Sequence, residues 1–494
     1  MNQLFYGDNL EVLQKHIGDE SVDLCYVDPP FNSKRNYNQI YNNVGKDDIA
    51  QTQAFVDTWE WGDSAELYLG LFLKDPKYTR RLTDTIFGLE KILGKGAMFA
   101  YLVNMAVRFV EIWRVLKPTG SFYVHCDPTA SHYLKIILDA IFCDRGGDFR
   151  NEIVWCYRGG GSPKDDFGRR HDTIFRYTKG KELIFNADEI RIPYQAEGIG
   201  RKDDAMWGKH KGTAKIYKPH PLGKIPEDWW LMNILNANDP ERLGYPTQKP
   251  LILLERIIKA SSNEGDVILD TFCGCGTTVD AAHALNRKWI GIDITYNSVS
   301  LILKRLKNRY GNDIEQQIQL SGMPKDLESA TALAHKKDDR LRKEFEKWAI
   351  LTYTDNQGKI NEKKGADKGI DGVAYIVGGT ALFSVKSGNV SVKDVRDLQA
   401  VMEREKAAAG VLITLQPPTK PMLQEAATSG HIDDIPGLRL PKKISKLQIV
   451  PVQDILDGAK INLPLPEAVV KSARRHKAKD ENREIEFDIE FDDD

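Results

Sequence analysis

The tetrapeptide Asp28-Pro29-Pro30-Phe31 brings together a carboxylate, a rigid turn and an aromatic ring. It follows the apolar run Val22–Val27, which predicts a buried strand ending at Asp28. An exocyclic amine of a nucleobase is a poor nucleophile because its lone pair is delocalised into the ring. The Asp28 carboxylate and the Pro29 carbonyl are two acceptors that could bind its hydrogens and free the lone pair. Phe31 offers a face on which a flipped base can stack. These residues indicate amino-group methylation; the alternative is a turn that merely ends the strand.

A glycine-containing loop follows a second predicted strand, Val267–Asp270, and leads into a predicted helix. Gly274 and Gly276 allow the backbone to approach a ligand closely. Asp293 ends the next predicted strand, where an acid can bind ribose hydroxyls. The pattern therefore indicates a nucleoside-containing cofactor. Val279 stands where a dinucleotide fingerprint has its third glycine, which favours a ligand without a pyrophosphate.

Both candidate sites depend on the elements that precede them. Short apolar runs alternate with helical stretches, and this alternation predicts an α/β fold with a largely parallel sheet. A helix is expected at about 106–116, a turn at Lys117-Pro118-Thr119-Gly120 and a strand at 121–125. Ligands bind outside the carboxyl ends of the strands in such sheets, and Asp28 follows the carboxyl end of a predicted strand.

Composition limits the class of protein. The 494 residues predict two to four domains, and 69 basic against 71 acidic residues give a net charge of −2. Any basic surface for nucleic acid must therefore be local. The chain has no apolar run long enough to span a membrane and no signal-peptide pattern at its start. Its six cysteines are typical of reduced thiols. We expect a cytoplasmic protein.

Together the motifs resemble those of the amino-group DNA methyltransferases that use S-adenosylmethionine, over most of residues 1–310. The segments that carry this resemblance are Gly7-Asp8-Asn9-Leu10, Ser21-Val22-Asp23-Leu24, Asp28-Pro29-Pro30-Phe31, 170–177, Tyr245-Pro246-Thr247-Gln248-Lys249-Pro250 and 270–278. The catalytic half precedes the cofactor half, and this order is similar to that of the beta class. The resemblance implies a permuted, Rossmann-like methyltransferase sheet. Thr271 departs from the proline usual at its position.

The resemblance also implies roles for individual residues. The catalytic residues would be Asp28, Pro29, Pro30 and Phe31, with Asp28 also near the methionine end of the cofactor. The cofactor-binding residues would be Asp8, Lys249, Asp270, Phe272, Gly274, Gly276, Thr277 and Asp293. An aspartate at the head of the tetrapeptide favours adenine N6 over cytosine N4. We therefore expect methylation of adenine N6 in double-stranded DNA.

A basic and aromatic segment separates the two halves. Residues 201–224 carry seven Lys or Arg and two acidic residues, interleaved with Trp207 and Tyr217. Basic side chains bind phosphates, while base edges supply sequence specificity. The position of this segment between the halves indicates a target-recognition insert; the alternative is a solvated loop region with a small aromatic core.

The C-terminal part resembles the Mrr-like restriction endonucleases. Asp371 precedes one predicted strand, and Ser384 and Lys386 lie at the end of the next. That family places an acid and then an acid-x-Lys pair on adjacent strands, where the resemblance implies a Mg²⁺ site. Ser384 replaces the second acid, and either Glu344 or Glu346 could complete the site. The alternatives are a nuclease fold retained only for DNA binding and an unrelated α/β module.

The expected domains are a catalytic half, a target-recognition insert, a cofactor half, a nuclease-like α/β domain and an acidic tail, at 1–178, 179–244, 245–325, 326–460 and 461–494. The expected host is prokaryotic or a phage, with the protein at the nucleoid, and a homodimer is left open. Three other functions remain at this stage: a bifunctional enzyme that also cleaves unmethylated DNA, an N4-cytosine methyltransferase and an RNA methyltransferase. A DNA-binding regulator with an inactive methyltransferase core is a fourth hypothesis.

Overall fold

The structure is a computed structural model. It describes residues 1–29, 35–41, 50–57, 61–158, 164–194, 220–236, 239–243, 245, 247–335, 339–354, 357–361, 369–377, 379–432 and 443–464. The strands are β1 (Asn2–Tyr6), β2 (Val22–Val27), β3 (Arg35–Tyr41), β4 (Ala50–Asp57), β5 (Leu116–Cys126), β6 (Asp148–Cys156), β7 (His171–Thr178), β8 (Trp229–Leu231), β9 (Val267–Asp270), β10 (Lys288–Asp293), β11 (Ile318–Ser321), β12 (Gly358–Ile360), β13 (Gly372–Ile376), β14 (Gly379–Lys386), β15 (Ala409–Thr414) and β16 (Leu447–Pro451).

The helices are α1 (Asn9–His16), α2 (Asp63–Lys74), α3 (Arg80–Leu93), α4 (Ala97–Val115), α5 (Ser131–Phe142), α6 (Leu251–Ser261), α7 (Thr277–Ala284), α8 (Tyr296–Tyr310), α9 (Leu327–Ala334), α10 (Asp339–Tyr353), α11 (Val392–Glu405), α12 (Lys420–Thr428) and α13 (Val452–Leu456). Short 3₁₀ turns lie at Cys143–Arg145, Ala187–Ile190 and Asn312–Gln317. Within the described residues, no helix is long and apolar enough to cross a membrane.

The larger sheet has nine strands among the described residues, in the order β11-β1-β10-β9-β2-β5-β7-β6-β8. Strands β11 to β5 are parallel to one another, and β7 is antiparallel to both β5 and β6. Strands β9 and β2 are neighbours although they lie far apart in the chain. The loops after β2, β9 and β10 therefore meet at one edge of the largely parallel sheet that the alternation of strands and helices predicts.

Helix α4 is longer than the sequence pattern indicates. Its bounds are Ala97–Val115, so it begins nine residues before the expected start at 106. Fifteen of its 19 residues are buried, including Arg108 and Glu111. A helix that is buried almost all round lacks the one-sided apolar period from which the prediction was made. The expected bounds were therefore wrong at the N-terminal end.

The segment Lys117-Pro118-Thr119-Gly120 is part of β5 rather than a turn before it. The pairing of β2 with β5 shifts at this point, because Val22 pairs with Leu116 while Leu24 pairs with Ser121. The extra residues form an irregularity inside the strand, where proline and glycine are tolerated. The predicted turn was wrong, but the same residues do interrupt the regular pairing.

A smaller sheet follows, in the order β12-β13-β14-β15-β16. Strands β14, β15 and β16 are parallel, while β12, β13 and β14 form an antiparallel meander. Helices α11 and α12 cover one face through a core that includes Leu398 and Met422. Helix α10 lies on the other face, where Trp348 is buried. The result is the small α/β domain expected from the sequence.

The two sheets share one hydrophobic cluster, which contains Leu4 and Val299 from the larger domain and Phe345 and Trp348 from α10. Polar contacts lie beside it. The Tyr6 hydroxyl donates to a carboxylate oxygen of Glu344, and the Thr352 hydroxyl donates to the Tyr296 hydroxyl at 2.9 Å. Helix α10 thus contacts the edge of the larger sheet near the end of β1.

Candidate functional site

Asp28 directly follows β2, and its carboxylate forms an ion pair with the ammonium of Lys249. Only 18% of the Asp28 side chain and 9% of the Lys249 side chain are exposed. The two residues are 221 positions apart in the chain. The fold therefore joins the first motif to the segment that precedes the cofactor half. Pro29 is buried, whereas Pro30 and Phe31 lie outside the described residues.

Local hydrogen bonds fix the segment around Lys249. Thr247 has a φ of +61°, a left-handed conformation that is strained for a β-branched residue. The Gln248 side chain accepts from the Leu243 N–H and donates to the Glu241 carbonyl, each at 2.8 Å. The Glu241 carboxylate in turn accepts the Leu251 N–H at 2.7 Å. These bonds fix the start of α6 and hold Lys249 against Asp28.

The glycine loop begins at Asp270, at the end of β9. The Asp270 carboxylate accepts the Phe272 N–H at 2.9 Å. Gly274 and Gly276 both have positive φ, +48° and +77°, which suits glycine. A Cβ on Gly276 would lie 2.7 Å from Ile302, so the loop packs tightly against α8. Thr277 begins α7, and its hydroxyl accepts from Arg305 at 3.2 Å.

Asp293 ends β10 and organises the same loop. Its carboxylate accepts the Gly274 N–H and the Thr295 N–H, each at 2.9 Å. Asp8 occupies the matching place after β1, where its carboxylate caps α1 at Leu10 N–H (2.9 Å) and binds Arg108 at 2.9 Å. The structure therefore brings Asp8 to the same edge, engaged as a helix cap.

Burial raises the pKa of Asp270 to about 7, although hydrogen bonds from Thr278 and Phe272 oppose that rise and the charges of Asp28 and Asp293 add to it. Burial also raises the pKa of Asp293, against hydrogen bonds from Thr295 and Gly274. Three carboxylates thus lie near one another with one paired lysine. This edge carries an excess of negative charge that a cationic ligand would stabilise.

Sequence reasoning missed a buried histidine at the same edge. His125 on β5 is fully buried, with Nδ1 2.8 Å from the Tyr26 hydroxyl and Nε2 3.1 Å from the Asp172 carboxylate. The Tyr157 hydroxyl donates to the same carboxylate at 3.4 Å. The available signal was the presence of a histidine in an otherwise apolar strand.

Cys273 and Cys275 are buried within the glycine loop, and burial raises the pKa of both thiols. A raised pKa disfavours the thiolate that a metal would need. Among the described residues, no group of three or more His, Cys, Asp or Glu side chains is arranged to hold a metal ion.

In the smaller domain, Asp371 lies just before β13. Its carboxylate accepts the Val385 N–H at 2.7 Å and is 4.0 Å from the Lys343 ammonium. Lys343 also pairs with Glu346 at 2.6 Å. The buried Ser384 and half-buried Lys386 lie on either side of Val385 on β14. The Lys343 ammonium thus lies between the carboxylates of Asp371 and Glu346, and Ser384 adds no charge to the group.

The structure also decides between the two glutamates on α10. Glu344 faces the larger sheet, where it accepts from Tyr6 and pairs with Lys347 at 2.8 Å. Glu346 instead pairs with Lys343 beside Asp371. Of the two, only Glu346 belongs to the surroundings of the nuclease-like residues.

Comparison with known families bears on both domains. A sequence model described as DNA methylase (N6_N4_Mtase) matches residues 22–304, more than half of the chain. The chain belongs to this family. Within this DNA methylase, a second model described as restriction endonuclease (Mrr_cat) matches residues 341–442, which contain α10 and the nuclease-like residues. The two-part architecture expected from the sequence is confirmed.

Curated relatives include type II methyltransferases. The DNA methylase is 33% identical over 220 residues to M.HpaI of Haemophilus parainfluenzae, covering 44% of this chain and 63% of that protein. It is 28% identical to M.BglII of Bacillus subtilis, over 60% of this chain and 76% of the relative. It is also 28% identical to the DNA adenine methyltransferase YhdJ of Escherichia coli K12, over 61% and 82% of the two chains.

Solved structures overlap more weakly. The cytosine-N4-specific PvuII DNA methyltransferase is 18% identical and matches with a TM-score of 0.37, over 61% of this chain and 85% of that one. M1.HpyAVI in complex with SAM, S-adenosylmethionine, is 18% identical with a TM-score of 0.34, over 62% and 99% of the two chains. These overlaps are too weak to argue from. The order and direction of the strands describe the fold on their own.

Proposed function

We propose that the chain transfers a methyl group from S-adenosylmethionine to the N6 amine of adenine in double-stranded DNA. The observation that carries this proposal is the meeting of Asp28 and the glycine loop at one sheet edge. The charge of Asp28 acts on Asp270 there. An acceptor for an amine and a candidate cofactor loop are thus adjacent, as methyl transfer requires.

The chemistry of the edge fits the cofactor. S-adenosylmethionine carries a sulfonium and an ammonium against one carboxylate, and Asp28, Asp270 and Asp293 supply negative charge. The Thr271 hydroxyl beside this loop is buried without a hydrogen-bond partner among the described residues. Asp270, Asp293 and the 272–276 backbone are the groups proposed to hold the cofactor. When bound, it supplies an electrophilic methyl group.

The residues of the chain would then prepare the amine. The Asp28 carboxylate and the Pro29 carbonyl accept its two hydrogens, so that electron density returns to nitrogen. The Lys249 ammonium forms an ion pair with the Asp28 carboxylate and orients it. After transfer, the nitrogen must lose one proton, and Asp28 is the acceptor already bonded to it. Phe31 as a stacking face for the flipped base lies outside the described residues.

Adenine is the proposed base for two reasons. An aspartate heads the catalytic tetrapeptide, and YhdJ, one of the relatives, is named a DNA adenine methyltransferase. The basic residues at 201–219, proposed to bind DNA phosphates, lie outside the described residues. M.HpaI and M.BglII are type II methyltransferases of bacteria, which supports a prokaryotic cytoplasmic location. Nucleoid association and a homodimer stay predictions.

The test is transfer of labelled methyl groups to unmethylated genomic DNA, followed by nucleoside mass spectrometry. N6-methyladenine is the expected product. N4-methylcytosine would overturn the base assignment and keep the mechanism. If the chain binds the cofactor but methylates neither base, an RNA substrate panel and a DNA-binding assay would separate an RNA methyltransferase from a regulator.

A second candidate activity is Mg²⁺-dependent cleavage of unmethylated DNA. The restriction endonuclease match at 341–442 favours it. The pairing of Asp371 with Lys343 and the hydroxyl of Ser384 oppose it. We therefore propose that the smaller domain contacts DNA without cutting it.

A further inference from the structure

The described residues contain a hydrogen-bonded series of polar side chains, Tyr26, His125 and Asp172, and the sequence motifs do not predict these bonds. It begins at the Tyr26 hydroxyl, two residues before Asp28 on the same strand. It continues through the fully buried His125 on β5 to Asp172 on β7, with distances of 2.8 and 3.1 Å. Three neighbouring strands are thus linked by hydrogen bonds that begin two residues before Asp28. Polar groups buried in this way are costly unless their bonds are satisfied.

The bonding pattern favours one arrangement of protons. An ionised Asp172 carboxylate can only accept, so the His125 Nε2–H donates to it. Nδ1 is then the acceptor for the Tyr26 hydroxyl. The Tyr157 hydroxyl donates to the other oxygen of Asp172. This arrangement gives the Tyr26 hydroxyl, both ring nitrogens of His125 and both carboxylate oxygens of Asp172 a hydrogen-bond partner. It also fixes the orientation of the Asp172 carboxylate.

Asp172 is ionised in the fold. Burial raises its pKa, whereas the hydrogen bond from His125, the charge of Lys249 and the hydrogen bond from Tyr157 lower it, and the result is a lowered pKa. The Lys249 ammonium therefore lies in the field of two carboxylates. It is bonded to Asp28 and is also attracted by Asp172.

This second carboxylate has a physical consequence for the first. If Asp28 were the only carboxylate near Lys249, the ammonium would compete with the substrate amine for the Asp28 oxygens. Asp172 also attracts the Lys249 ammonium and so weakens its competition with the amine.

We propose that His125 and Asp172 are positioning residues for methyl transfer. Asp172, oriented by His125, draws on Lys249 and so leaves Asp28 able to accept the hydrogens of the amine. The inference rests on the proposed function and adds a role for residues outside the catalytic tetrapeptide and the glycine loop.

The test uses the full chain, a DNA duplex that carries its site and S-adenosylmethionine, with kcat, KM for DNA, cofactor Kd and Tm measured for each variant. Asp172→Asn keeps the side-chain shape and removes the charge. His125→Leu removes both hydrogen bonds, while His125→Gln keeps a donor near the Nε2 position. Tyr123→Phe is the matched control, because Tyr123 lies two residues before His125 on β5 and its buried hydroxyl bonds Ser261 at 2.7 Å.

We expect kcat to fall about tenfold or more in Asp172→Asn and His125→Leu, with KM and cofactor Kd nearly unchanged. His125→Gln should recover most of kcat, and Tyr123→Phe should keep it. In addition, Asp172→Asn should have little effect in a Lys249→Met background, because the proposed action passes through Lys249. A purely structural role would lower Tm without this dependence.

Two results would overturn the inference. One is an unchanged kcat in folded Asp172→Asn, which decides the matter even if His125→Leu fails to fold. The other is an equal loss of kcat from Asp172→Asn with and without Lys249. Absence of methyl transfer by the unaltered chain is a different outcome, and it would overturn the proposed function itself.

Discussion

The two sheets each bring an acid and a lysine together, but the balance of charge differs. At the edge of the larger sheet, Asp28, Asp270 and Asp293 lie near one another and Lys249 pairs with Asp28. The hydrogen bonds to Asp270 and Asp293 come from backbone N–H groups and hydroxyls.

In the smaller domain, Lys343 lies between Asp371 and Glu346, and Lys386 stands on the adjoining strand. The larger sheet thus keeps negative charge for a ligand, while the smaller one balances its own. A matching family motif is therefore not enough to define a working site. The groups that already pair with the carboxylates determine which of the two sheets can bind a cationic ligand.

Replacement of Asp28 tests the edge of the larger sheet most directly. Asp28→Ala removes the acceptor for the amine, so methyl transfer should fall about a thousandfold while cofactor binding is largely retained. Methyl transfer and isothermal titration with S-adenosylmethionine measure the two effects. Asp19→Ala, at a side chain that is 74% exposed, is the control and should transfer normally. Turnover retained by Asp28→Ala would contradict the assignment.

The pH dependence of cofactor affinity tests the excess of charge. The pKa of Asp270 is raised to about 7, so this carboxyl is increasingly protonated below that pH. A cationic ligand prefers the ionised form, and its affinity should fall by up to about tenfold per pH unit below 7. Asp270→Asn should bind more weakly at pH 8 and lose this dependence. Titrations between pH 5.5 and 8 measure it; a flat profile for the unaltered chain would refute the argument.

The contact between the sheets should contribute to stability. Glu344→Gln weakens the buried bond from Tyr6, and we expect a loss of about 1–3 kcal/mol in the free energy of unfolding. Calorimetry or denaturant titration measures it. Glu315→Gln is the matched control, because Glu315 pairs with Lys307 at 3.4 Å at the surface and should contribute less than about 1 kcal/mol. Equal effects from both variants would mean that α10 does not brace the larger sheet.

The smallest expected effect concerns DNA cleavage by the smaller domain. With Mg²⁺, the unaltered chain should cleave unmethylated plasmid no faster than Lys386→Ala, because Lys343 lies between Asp371 and Glu346 and Ser384 replaces an acid. Gel analysis of nicked and linear DNA measures the rate. Cleavage that depends on Lys386 would instead support a bifunctional restriction–modification enzyme and would remove the contrast between the two edges.

Sequence reasoning was most successful where the signal is local. The strand before Asp270 and the strand before Asp293 are short apolar runs next to glycine or an acid, and both form as expected. Asp28 at the end of β2 is of the same kind. In each case, the residues that carry the pattern are the residues that form the element.

Longer-range features could not be predicted in this way. The pairing of Lys249 with Asp28 and the bonds of His125 depend on how distant strands align, which no local spacing encodes. The length of α4 was missed because a helix that is buried almost all round lacks a one-sided apolar period. The roles of Glu344 and Glu346 separate only once α10 is placed between two sheets.

The position of α10 has a consequence for how such chains evolve. Its Glu344 side meets the first strand of the methylase, while its Glu346 side belongs to the nuclease-like domain. An exchange of the C-terminal domain between relatives would therefore also exchange the partner of Tyr6. Recombinants should therefore be stable when Tyr6 and Glu344 come from the same parent. The segments that must be inherited together then extend beyond the folded C-terminal domain.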